Sequence, residues 1–114
     1  MLSVVTQPDG DAFVRVRVTG EMDMATAGQV TTAVAQALRQ RPGEVLIDLD
    51  AVSFLDSSGI RALLAAQLDG QTCGIMVRVV NPRGHVLRVL QITGVDGLLQ
   101  SRPPADEDTP GLTA

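Results

Sequence analysis

The sequence predicts an α/β domain with a four- to five-stranded mixed sheet, mainly parallel, and helices packed mainly on one face. Three observations carry that prediction. Strand-like and helix-like segments alternate along most of the chain, which implies right-handed crossovers between parallel strands. Only three helical segments of useful size occur. The strand-like segments alternate apolar and polar residues instead of running apolar throughout, so one sheet face is more open than the other.

The elements follow in order. Leu2, Val4 and Val5 mark a short first strand, and QPDGD (Gln7 to Asp11) is a turn with Pro and Gly in turn order. AFVRVRV then places Val14, Val16 and Val18 on one face and Phe13, Arg15 and Arg17 on the other, so the two segments pair as a hairpin. GEMD (Gly20 to Asp23) interrupts the strand. From Ala25 to Arg39 the pattern is helical, with Val30, Ala33, Val34, Ala37 and Leu38 on one stripe. Asp23 is placed at or near its start as a cap, and RPG (Arg41 to Gly43) stops it. EVLIDLD is the next strand. Ile60, Leu63, Leu64 and Leu68 define a second helix ended by Gly70, and GIMVRVVN is a further strand. A third helix has Asn81 as N-cap, Pro82 at its first position and Gly94 beyond its end. GLLQ (Gly97 to Gln100) reads as a last short edge strand. From Pro103 the chain is Pro- and acid-rich with little to bury, which divides it into a domain over 1–102 and a disordered tail over 103–114.

Composition narrows the function. The length of 114 residues fits one domain, and 45% hydrophobic residues suit a packed core. Phe13 and Phe54 are the only aromatic residues, so that core is aliphatic. The net charge of −4, with all nine basic residues Arg and none clustered, argues against direct nucleic-acid binding. Cys73 is alone, which excludes an internal disulfide and fits a reducing, cytoplasmic setting. His85 is the only histidine, so a histidine-rich metal site is excluded; no metal or cofactor is expected. No apolar run approaches the ~20 residues that span a bilayer, and the first residues lack a signal-peptide pattern. Arg15, Arg17, Asp48 and Arg78 fall on the open sheet face, where Asp48 is expected to join a solvated charge ladder with Arg residues of neighbouring strands.

In such a sheet, function gathers beyond the carboxyl ends of the parallel strands. Three loops meet there: GEMD, DAVSFLDSSG and NPRG. They bring Glu21, Asp23, Asp56, Ser57, Ser58 and Asn81 to one end of the molecule. Phe54 or Leu55 anchors the middle loop under the helices. Ser57 or Ser58 then occupies the N-cap region of the second helix, and Gly59 permits close approach to its first turn. A hydroxyl there is easily reached, and a phosphate on it would add roughly −1.5 to −2 charge at pH 7. Asp-Ser-Ser-Gly by itself is also an ordinary turn and cap.

VTGEMD followed by Thr26–Ala27, VLIDLDAVSFLDSSGIRALL, and the late VLRVLQITGVDGLL together resemble the STAS domain family, in particular its small stand-alone bacterial anti-sigma factor antagonists. The resemblance covers roughly residues 3 to 100. It implies a STAS-like fold and a partner switch. The unphosphorylated antagonist binds an anti-sigma factor that is also a serine kinase, and so frees a sigma factor. The kinase phosphorylates the serine directly after the Asp, the antagonist lets go, and a PP2C-type phosphatase resets it. Carried onto this chain, the acceptor is Ser57, with Ser58 the second choice and the better cap. Glu21, Asp23, Asp56, Gly59, Arg61 and Asn81 join both serines as partner-binding residues. Met22 stands where the family often has Leu, and the chain lacks a full final helix.

Two other readings stand beside this one. The same fold serves as a scaffold subunit of stress-signalling complexes or of lipid-transport ABC systems, without regulated phosphorylation. An enzyme with Ser57 as nucleophile needs a base, for which His85 is the one histidine, and the GxSxG elbow is absent. The chain is therefore expected to be no enzyme, with no catalytic residues, no direct nucleic-acid or membrane contact, and a monomeric free state.

Overall fold

The computed structural model describes residues 1–10 and 12–100. The tail expected over 103–114 lies outside the described residues. Four strands, β1 (Leu2–Asp9), β2 (Phe13–Met22), β3 (Glu44–Leu55) and β4 (Met76–Val80), form one sheet in the order β1-β2-β3-β4. β1 and β2 are the expected antiparallel hairpin, while β2, β3 and β4 run parallel. Four helices complete the described residues: α1 (Ala27–Arg39), α2 (Ser57–Cys73), α3 (Gly84–Thr93) and α4 (Asp96–Gln100).

Alternation places the core on one sheet face. Val16, Val18, Val45, Ile47, Leu49, Val77 and Val79 join Val30, Val34, Leu63, Val86 and Leu90 of the helices in a single buried cluster. Apolar burial at roughly 25 cal/mol per Å² makes this aliphatic layer the main driving force of the fold.

Several boundaries differ from the sequence reading, each for a local reason. The segment from Gly97 to Gln100 belongs to helix α4, not to a strand. Gly94 adopts a left-handed conformation at the end of α3, the Val95 amide donates back to the Leu90 carbonyl, and Leu99 is carried into the core. Gly70 does not end α2. It lies inside the helix, where a Cβ would stand 2.4 Å from Val77 Cγ2, so glycine lets the helix lie close on β4. The end is set by Gly74, with φ of 73°. Helix α3 begins at Gly84, and Asn81 is not its cap: it takes a φ of 60° and its side-chain amide donates to Asp48 at 3.2 Å.

The open face corrects the solvated ladder. Asp48 and Glu44 are 3% and 5% exposed, and arginine side chains lie against them. Arg15 donates to Asp48 at 2.8 Å, Arg17 approaches the same carboxylate at 3.8 Å, and Arg78 pairs with Glu44. Asp48 therefore bridges two arginines of β2 and the Asn81 turn, while Arg78 takes a different acid. Burial pushes the Asp48 pKa up, but the Asp50 amide, the Asn81 side chain and Arg15 outweigh it and hold it below its ordinary value.

Candidate functional site at the carboxyl end of the sheet

Parallel β2, β3 and β4 deliver their following loops to one end of the molecule, as the topology requires. The first two loops are joined directly. The Asp56 amide donates to the Met22 carbonyl at 3.2 Å, which ties the end of β3 to the end of β2. Gly59 completes the joint. A Cβ there would meet Leu55 Cδ1 at 2.3 Å and the Met22 carbonyl oxygen at 3.0 Å. Leu55 is 2% exposed and plugs the loop into the core, whereas Phe54 stays 41% exposed.

The start of α2 divides its roles differently from the expectation. The N-cap is Asp56, in extended conformation, and not Ser57 or Ser58. Its Oδ1 accepts from the Ser58 amide at 2.8 Å and the Gly59 amide at 3.1 Å. A carboxylate suits this position because it answers unpaired amides and the positive end of the helix together. Ser58, half-buried, contributes its amide and not its hydroxyl. Ser57 is the first helical residue and is exposed. Its hydroxyl has no hydrogen-bond partner among the described residues.

The loop before α1 is knitted more tightly. Asp23 Oδ1 accepts from the Ala25 amide, the Thr26 amide and the Thr26 hydroxyl at 3.0–3.1 Å. Asp23 thus organises the turn just before the helix, as placed from sequence. The Thr26 hydroxyl is the largest influence on its carboxyl, and with the Ala25 and Thr26 amides it outweighs the opposing effect of burial and holds the group below the ordinary range. Glu21 is exposed, 3.3 Å from the Met1 amine.

Arg61 is exposed one turn into α2. Asn81 is brought to the same end of the sheet but is engaged by Asp48, so its role in the geometry is to hold the turn after β4. One feature went unread in the sequence. His85 stacks on Phe54, with ring centroids 5.7 Å apart and planes 13° from parallel. The signal available was that one of only two aromatic residues stands near the carboxyl end of β3 and the one histidine follows the neighbouring strand β4. Among the described residues no group of three or more His, Cys, Asp or Glu is arranged to hold a metal ion, and no helix is long and apolar enough to cross a membrane.

The STAS domain family model matches residues 3–107, nearly the whole chain. The chain belongs to the STAS domain family. This STAS domain is 32% identical over 94 residues to the anti-sigma-F factor antagonist RsfB of Mycobacterium tuberculosis, covering 81% of this chain and 75% of the relative. It is 32% identical over 101 residues to an anti-sigma F factor antagonist of Paenibacillus polymyxa, covering 86% and 82%. In structure it is similar to an anti-sigma factor antagonist from Mycobacterium paratuberculosis, with a TM-score of 0.72 at 29% identity, over 100% of this chain and 96% of the other.

Proposed function

We propose that this STAS domain is an anti-sigma factor antagonist whose binding is switched by phosphorylation of Ser57. The observation that carries the reading is the unengaged, exposed Ser57 hydroxyl beside a cap that Asp56 already supplies. The fold does not use this group, so a kinase can take it without breaking a structural contact. The names of the relatives support the anti-sigma partner.

In this reading the unphosphorylated domain binds a cytoplasmic anti-sigma factor with serine kinase activity and releases a sigma factor. Its partner surface includes Glu21, Asp23, Asp56, Ser57, Ser58, Gly59 and Arg61. Phosphoryl transfer places a dianion on Ser57 next to Asp56. Asp56 already holds the Ser58 and Gly59 amides, so the new group stays outside the cap and must be desolvated if a partner is to remain closely packed there. Release follows, and a PP2C-type phosphatase restores the binding form. The domain itself catalyses nothing in this scheme; the transfer chemistry is the partner's.

The test is binding to a purified anti-sigma factor in the presence of ADP and of ATP. The complex is expected to persist with ADP and to dissociate with ATP. Ser57→Ala is expected to bind under both conditions, and Ser57→Asp to bind more weakly. Equal dissociation of wild type and Ser57→Ala by ATP would contradict the switch.

A further inference from the structure

Resting on the reading of Ser57 as the switch, we infer that an apolar platform beside it, formed by Phe54 with His85 and Met24, anchors the anti-sigma partner. Three chain segments that meet at the Ser57 end each leave such a side chain in solvent. Phe54, 41% exposed, stands two residues before Asp56. The exposed His85 ring comes from the start of α3 and stacks against it. Met24, 83% exposed, lies two residues past Met22, whose carbonyl accepts the Asp56 amide. Folding does not require this exposure, because neighbouring Leu55 supplies the buried anchor of the loop.

The occupant follows from adjacency and charge. A protein that covers Ser57 closely enough to sense one phosphate also covers the residues that flank it. An aromatic ring already held by stacking loses little freedom on binding, and such rings dominate interface energetics. Methionine adapts to the partner's contour. Near the platform Glu21 is paired with the Met1 amine and Arg83 with Asp50, which leaves Asp23 and Asp56 against Arg61, so the partner presents an apolar pocket with a weakly basic rim. The same arrangement accounts for release. A hydrated dianion at the edge of a dry contact forces that contact open, whereas a purely ionic contact with basic groups would tighten.

Affinity for a purified anti-sigma factor with ADP, melting temperature, and the phosphorylated position are measured together for each variant. Phe54→Ala is expected to weaken binding at least tenfold and Met24→Ala three- to tenfold, with melting unchanged and phosphate still on Ser57 at saturating kinase. His85→Phe, which keeps a flat ring for stacking, is expected to bind better than His85→Ala. If Phe54→Ala unfolds, Met24→Ala decides, because that side chain is almost wholly in solvent. Wild-type binding with both alanine variants within twofold overturns the platform and leaves the Ser57 switch intact. A wild type that fails to bind overturns the switch reading and the platform with it.

Discussion

Two of the helices that begin at the functional end, α1 and α2, start from the same pair of groups, an aspartate and a hydroxyl, and use them differently. Before α1, Asp23 and Thr26 bond each other in both directions. The Asp23 amide donates to Thr26 Oγ1 at 3.0 Å, and the Thr26 hydroxyl lies 2.7 Å from the Glu21 carbonyl and 3.0 Å from Asp23 Oδ1. Before α2, Asp56 reaches past Ser57 to the next two amides and leaves that serine hydroxyl alone. One hydroxyl is part of the fold; the other is surplus to it. A modifiable residue needs this second condition, since a group that is already a structural donor cannot be esterified without a local loss of stability.

The largest effect is expected where the two helix starts are pressed together. Gly59→Ala puts a methyl against Leu55 and the Met22 carbonyl, and overpacking of this kind costs about 1–3 kcal/mol. Chemical denaturation checks it; a change inside experimental scatter would mean that the two loops are not locked at this point. Next come the bonded groups themselves. Asp56→Ala removes the α2 cap and Thr26→Ala removes the hydroxyl that serves α1, each at a cost of about 1 kcal/mol. Ser57→Ala, by contrast, is expected to stay within about 0.5 kcal/mol of wild type. Equal losses for Thr26→Ala and Ser57→Ala would erase the contrast.

Acid provides a subtler separation. Asp23 has a lowered folded pKa, with the Thr26 hydroxyl as its leading cause. Its contribution is therefore fully present above the unfolded carboxylate pKa of about 4 and is lost as pH falls through the lower folded value. The stability difference between wild type and Thr26→Ala is expected to shrink below about pH 4. Among the described residues no acid is bonded to the Ser57 hydroxyl, so the difference for Ser57→Ala is expected to be flat across the same range. Asp48 titrates with the same sign as Asp23, and its loss in acid loosens Arg15 on β2 and the Asn81 turn after β4.

The contrast between the two helix starts was only half legible in the sequence. Alternation in AFVRVRV and EVLIDLD, and the helical stripe from Val30 to Leu38, led directly to the strands and to α1, because burial enforces those periods. Convergence of three loops followed from parallel strands. Which group caps α2 did not follow, since Asp, Ser and Ser in succession are all good caps and only backbone conformation chooses among them. Gly70 and Gly74 are indistinguishable as helix stops until one is found packed against Val77. Asn81 reads as a cap by residue type, yet the buried Asp48 one strand away claims its side chain. The Phe54–His85 stack depends on a contact between residues 31 positions apart, which no local pattern encodes.

The central claim is that Ser57 is the hydroxyl the fold leaves available, and phosphate mapping tests it most directly. The domain is incubated with a purified anti-sigma kinase and ATP, and the modified residue is located by mass spectrometry. One phosphate on Ser57, absent from Ser57→Ala, is the expected result. Phosphate on Thr26 or Ser58 in preference to Ser57, or none while the kinase binds and modifies another antagonist, would contradict it.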